Sequence, residues 1–315
     1  MNQLSTLRAG VAGVGYLGRF HAQKYAALPD VTLVGVADLD QARAAAIADE
    51  CHTRAFSDYR ELFDQVDCVS IAVPTHLHHA VARDFLLHDI DVLVEKPMTA
   101  TGAEGRELVS LASQYERILQ VGHLERFNPA LRSLTGILNA PRFIECQRVA
   151  PFVERGTDVD VVRDLMIHDL DVILSLVRSP VTSMEAFGVP VLTKEPDIAN
   201  ARLRFASGCI ANITASRVAL KRERKMRLFQ PDTYIVVDYG EHRIRICRRD
   251  PNPQEGVLPN ITFEEREVGG EDALEEEIRA FLRSVRERSE PIVSGQDGLQ
   301  ALEVAEQIVG CLEVP

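Results

Sequence analysis

The chain has 315 residues, with 35 Lys and Arg against 47 Asp and Glu and a net charge of -12. That acidic balance argues against a general nucleic-acid binder, which needs a basic face to displace phosphate counterions. No stretch reaches the roughly 18 apolar residues a membrane helix requires, and the first residues lack a charged-then-apolar leader pattern, so no membrane partner is expected. The six cysteines (Cys51, Cys68, Cys146, Cys209, Cys247 and Cys311) are scattered without a CxxC. They read as reduced, mostly buried residues of a cytoplasmic protein.

From the N-terminus, strand-like and helix-like segments alternate. LRAGVAGV, VTLVGVAD, VDCVSIAV, DVLVEK and RILQVGH read as strands. LGRFHAQKYAAL, QARAAAIADE, HHAVARDFLLH and GAEGRELVSLASQY between them read as helices. Near-continuous Val, Ile and Leu strands separated by amphipathic helices predict an α/β, doubly wound parallel sheet covered on both faces. After about residue 122 the rhythm changes. One helix is expected over residues 159–177, followed by TSMEAFGV, ANARLRFAS, GCIANITASRV, TYIVVDY and HRIRICRR as an open, mostly antiparallel sheet. PNPQEGVLPN reads as a loop, and two helices, ALEEEIRAFLRSVRER and GLQALEVAEQIVGCL, close the chain. Two domains are expected, residues 1–122 for a dinucleotide and 123–315 for substrate and assembly, with the last helices packing back on the first.

The turn after the first strand, Gly13-Val14-Gly15-Tyr16-Leu17-Gly18, is a GxGxxG, and Asp38 ends the second strand twenty residues later. A helix N-terminus there takes a pyrophosphate, and an acidic group at that distance meets the adenine ribose hydroxyls. Asp38 repels a 2′-phosphate and no Arg follows it before Arg43, which favours NAD over NADP, although Arg19 is within reach of recruitment. Lys96 ends a strand, where ligands of such sheets bind, and its ammonium suits a hydroxyl that loses a proton as hydride leaves the same carbon. Glu95 holds either that lysine or the cofactor. A surface lysine snorkelling at a strand end is the plainer alternative. Asp164 and His168 lie at i and i+4 on one helix face, and Asp171 lies three residues after the histidine. A carboxylate beside an imidazole fixes its tautomer and raises its basicity. A solvated charged face is the alternative.

AGVGYLGRFHAQ, IAVPTHLHHAVA with VLVEKP, DLMIHDLD and the closing SEPIVSGQDGLQALEVAEQI occur in the order of the Gfo/Idh/MocA oxidoreductases, which the chain resembles over its whole length. The resemblance implies a Rossmann domain, a C-terminal α/β domain whose open sheet makes subunit contacts, and NAD(P)-dependent oxidation of a sugar or cyclitol ring hydroxyl. It makes Lys96, Asp164 and His168 the catalytic set, and Pro74, Thr75 and His78 the loop lining the cofactor crevice. It also accounts for His76, His78 and His79 better than a metal does; no metal is expected.

Narrower likeness in GHLERFNPA and PFVERGTDVDVVRDLMIHDLD is to the bacterial branch acting on UDP-N-acetylglucosamine, whose 3-keto product feeds 3-amino sugars of lipid A. Arg126, Asn128, Arg155 and Arg163 are then candidate substrate contacts. A homodimer or homotetramer is expected. A free sugar or inositol-like polyol is the alternative substrate, and a non-catalytic NAD-binding sensor the alternative class.

Overall fold

The computed structural model describes residues 6–152, 160–249, 260–269 and 272–313. Its first compact unit runs to Leu124 and takes back Asp272–Leu302; the second comprises Glu125–Glu271 with the residues after Leu302.

The first unit alternates β1 (Leu7–Ala12), α1 (Tyr16–Ala27), β2 (Val31–Ala37), α2 (Gln41–Cys51), β3 (Arg54–Phe56), β4 (Cys68–Ile71), α3 (Thr75–Leu87), β5 (Asp91–Glu95), α4 (Gly102–Gln114) and β6 (Leu119–Gly122). All strand pairs are parallel, in the order β3-β2-β1-β4-β5-β6. The strands are apolar because both faces are covered: every residue of β4, β5 and β6 is buried. Helix starts follow local chemistry. Asp40 caps α2 by accepting from Arg43 N at 3.1 Å, and Thr101 with Glu104 forms a capping box on α4. The sequence reading missed β3, a three-residue, largely exposed edge strand that carries no apolar run.

The second unit holds α5 (Pro129–Arg132), β7 (Phe143–Val149), a π-helical turn at Val162–Met166, α6 (Ile167–Val177), and strands β8 (Val181–Val189), β9 (Ile198–Phe205), β10 (Ile210–Ser216), β11 (Glu223–Gln230), β12 (Thr233–Asp238), β13 (Arg243–Arg249) and β14 (Ile261–Glu267). Two last helices follow, α7 (Ala273–Glu287) and α8 (Gly295–Gly310), and then β15 (Leu312–Glu313). The sheet order is β14-β13-β12-β11-β7-β10-β9-β8-β15, antiparallel except at β7–β10 and β8–β15. β7 alternates buried and half-buried residues, with Ile144, Cys146 and Arg148 on its buried side. Sequence reading missed the two-residue β15 and the strands β7, β11 and β14, in which charged residues, consecutive in β11 and β14, break up the apolar signal.

Helix α7 belongs to the first unit: Ile278, Phe281, Leu282 and Val285 complete the core formed by Val11, Tyr25, Val36 and Leu93. One expectation is corrected. The helix expected over 159–177 is a π turn followed by α6, and Val159 lies outside the described residues. The expected loop at 251–260 also lies outside them, except for Asn260.

Candidate active site

The three glycines after β1 do three different jobs. Gly13 adopts φ +83°, and a Cβ there would stand 2.7 Å from Val73 N. At Gly18 a Cβ would meet Gly13 O at 1.8 Å, so glycine is the only residue that lets α1 lie this close to the loop. At Gly15 nothing lies within 4 Å of the added atom. That open space at a helix N-terminus lets a diphosphate approach backbone N–H groups, and it is the fit that a dinucleotide needs. A cleft of about 560 Å³ opens beside it, lined by Val14, Gly15, Tyr16, Arg19, Phe20, Arg43 and Ile47. Tyr16 and Leu17 are exposed at its rim.

Asp38 follows β2 and is tied to the same loop. Its carboxylate accepts from Val14 N and Asp40 N, each at 2.9 Å, and faces Arg43 Nη1 at 3.4 Å. Both arginines near the cleft are committed to carboxylates: Arg43 to Asp38 and Asp40, and Arg19 to Glu50 at 3.1 Å.

Lys96 follows β5 and is half-buried, joined to Pro97 by a cis peptide bond. The neighbouring Glu95 turns into the protein. Its Oε1 lies 2.9 Å from His21 Nε2, and its Oε2 accepts from Lys96 N at 3.3 Å. His21 Nδ1 lies 3.1 Å from Ser70 Oγ, which is 2.9 Å from the Tyr25 hydroxyl. Gly122 makes room, since a Cβ there would come within 3.1 Å of the Glu95 carboxylate. Burial works against a charged Glu95, but the His21 hydrogen bond and the charges of His21, Lys96 and His78 outweigh it and hold its carboxyl below the usual range. Glu277 of α7, fully buried, brings a second carboxylate within 4.8 Å of His21 and Glu95.

In the loop expected to line the cofactor crevice, Pro74 is exposed and Thr75, the first residue of α3, is half-buried. His78 is buried with both ring nitrogens on backbone carbonyls, Nδ1 at 2.8 Å from Pro97 O and Nε2 at 2.9 Å from Val73 O. Burial pushes its pKa down, against those two carbonyls. A neutral ring has one N–H, so it donates to one of these carbonyls and braces that segment from inside.

In the second unit, Asp164 sits in the π turn and His168 in the first turn of α6, both half-buried. A π turn in a helix is uncommon and is found mostly at functional sites. Asp160 starts it, accepting from Val162 N at 3.0 Å and Arg163 N at 2.9 Å, and its other oxygen binds Arg163 Nη1 at 2.8 Å. Behind α6, the buried Arg148 binds Asp169 through Nε at 2.9 Å and Nη2 at 3.0 Å, and Glu125 through Nη1 at 2.9 Å. Arg126 lies 3.5 Å from Asp171. Asp171, read from sequence as a partner of His168, thus faces an arginine. Asn128 caps α5 through Ala130 N at 3.0 Å and donates to Glu125 at 3.3 Å. Of the expected substrate contacts, then, Arg126, Asn128 and Arg163 have polar partners within the unit, and Arg155 lies outside the described residues.

Sequence reading missed His21, Glu277, Arg148, Glu125 and Asp169. Only His21 had a local signal, its place three residues after the GxGxxG. Glu277 stands in the acidic run EEE, which reads as a solvated face.

A GxGxxG turn fitted to a diphosphate at the carboxyl end of a central strand of a six-stranded parallel sheet defines a dinucleotide-binding domain of the Rossmann class. The model of an oxidoreductase family with an NAD-binding Rossmann fold matches residues 7–123, and that of the GFO/IDH/MocA C-terminal domain matches residues 133–241. The chain belongs to the Gfo/Idh/MocA family of oxidoreductases. It is 39% identical over 303 residues to UDP-N-acetylglucosamine 3-dehydrogenase of Acidithiobacillus ferrooxidans, covering 96% of each chain. The solved structure of that protein superposes with a TM-score of 0.91 at 37% identity over 97% of each chain. Myo-inositol 2-dehydrogenase of Thermotoga maritima is 24% identical, with 94% of this chain and 93% of that one covered.

Proposed function

We propose that this oxidoreductase oxidises the C3 hydroxyl of UDP-N-acetylglucosamine to the 3-keto nucleotide sugar, with NAD as cofactor. The observation that carries the reading is the 39% identity, over 96% of both chains, to a dehydrogenase named for that reaction. Family members named for inositol are less similar over comparable lengths, at 24% to 26%. Such a 3-keto product suits an aminotransferase that builds 3-amino sugars for lipid A.

Gly13, Gly15 and Gly18 with Asp38 would hold NAD, which when bound supplies the hydride acceptor. The acidic Asp38 and the pairing of Arg19 and Arg43 with carboxylates support NAD over NADP, since a 2′-phosphate would meet an acidic group and no uncommitted cation from this pair. Lys96, His168 and Asp164 carry the proton chemistry. One of Lys96 and His168 accepts the hydroxyl proton while the other stabilises the developing alkoxide, and Asp164 orients the imidazole.

The test is NADH formation on a panel of UDP-N-acetylglucosamine, other UDP-sugars, free hexoses and myo-inositol. Turnover is expected with UDP-N-acetylglucosamine and NAD. Preferred turnover of inositol or a free hexose would replace the substrate, and no turnover on any member would favour a sensor.

A further inference from the structure

His21 of α1, Glu95 of β5 and Glu277 of α7 bring two carboxylates and an imidazole into one water-poor space, with candidate ligand atoms within 4.8 Å of one another. Like charges at that range in a buried site do not both ionise freely, so the cluster titrates as a unit and keeps a proton. The hydrogen bonds indicate where charge remains. Burial pushes the Tyr25 hydroxyl well above its usual pKa, so it stays a donor. The order Tyr25 O–H to Ser70, Ser70 O–H to His21 Nδ1, and His21 Nε2–H to Glu95 uses each donor once and ends on a carboxylate.

We infer that this cluster sets the charge and position of Lys96: Glu95, kept ionised by the Tyr25–Ser70–His21 chain, favours the lysine ammonium, and Glu277 is the protonated member of the carboxyl pair. The titratable groups facing Glu95 are His21 with Tyr25 behind it on α1, His78 of α3, Glu277 of α7 and Lys96 itself. Among these Glu95 is bonded to the lysine's own backbone, through Lys96 N. Glu95 is thus a positioning residue acting through Lys96. The catalytic consequence rests on the role proposed for Lys96; the charge coupling does not. The direction is independent of which proton role Lys96 plays. Removing the Glu95 charge makes the ammonium easier to deprotonate, so the limb of the rate–pH profile that belongs to Lys96 moves to lower pH.

The chain has five lysines, Lys24, Lys96, Lys194, Lys221 and Lys225, few enough for nitrogen-15 lysine NMR to follow each side chain. The signal absent from Lys96→Met identifies Lys96. In Glu95→Gln we expect Lys96 to titrate lower by about one unit, the size of effect an adjacent charge has, and kcat/KM to shift its limb equally. Glu277→Gln swaps one neutral group for another and is expected to leave both nearly unchanged. If Glu95→Gln does not fold, His21→Phe serves, because losing the Nε2–H lets Glu95 take a proton and lowers Lys96 in the same way. Three results would overturn the inference: an unmoved Lys96 in folded Glu95→Gln, equal shifts in the two glutamate variants, or a stoichiometric divalent ion in purified protein that His21→Phe loses. Turnover by Lys96→Met with the NMR shift intact would instead remove the catalytic reading and leave the coupling standing.

Discussion

One methyl group separates two outcomes at the glycine turn. Gly15→Ala adds a Cβ into open space, so the fold should keep its melting temperature while the Kd for NAD rises by at least tenfold, about 1.4 kcal/mol. Gly18→Ala drives the same atom into the Gly13 carbonyl and should lower both stability and cofactor binding. Calorimetric titration beside thermal melts separates the two. The pH response of the first unit follows from Glu95 and His78, both held below their usual values. As pH falls below about 6.5 the unfolded chain protonates its histidine before the folded one does, and stability drops. Glu95 contributes stability above about pH 4.3, which is lost as pH falls toward its folded value. Both effects have the same sign, so the melting temperature should fall steadily on acidification, and Glu95→Gln should flatten the part below about pH 5. The glycines were legible because the chemistry of their turn is written in local spacing, whereas Lys96 and His168 were singled out by the resemblance and not by spacing alone. Glu95's partner was not legible, since His21 lies 74 positions away and only folding joins them.

At the scale of elements, the π turn and α6 are set from behind. Asp169 and Asp171 are buried in an otherwise apolar helix, and Arg148 and Arg126 hold them. Arg148→Met takes both hydrogen bonds from the buried Asp169 while Glu125 keeps Asn128 and Arg224, and breaking a buried pair of this kind costs about 3–5 kcal/mol. Chemical denaturation should report that loss, and any protein that remains folded should bind NAD normally, because Arg148 belongs to the second unit. Period-two and helical patterns revealed the segments whose exposed side is moderately polar. They failed for β7, where Glu, Gln and buried residues alternate, and for β11 and β14, where charged residues run consecutively and β14 buries none. They also failed to show the π turn, because an extra residue in a helix leaves the apolar spacing nearly intact.

At the scale of the whole molecule, two compact units were legible as a change of rhythm near residue 122; the return of the last helices to the first was expected, but which core residues α7 would meet was not. An amphipathic helix advertises that it packs, not on what. Among the described residues no helix is long and apolar enough to cross a membrane. The second unit's sheet presents Phe263, 81% exposed, beside Tyr234 and Phe229, whose rings stack at 4.6 Å. We propose this face as the contact of a homo-oligomer, and Phe263→Asp should shift sedimentation toward the monomer if so. The central claim is that Lys96 performs sugar oxidation in this chain. It is tested most directly by NADH formation from UDP-N-acetylglucosamine with the native protein and Lys96→Met, alongside NAD affinity for each. The account predicts turnover lost by several orders of magnitude with NAD binding retained. Comparable turnover by the two proteins would contradict it.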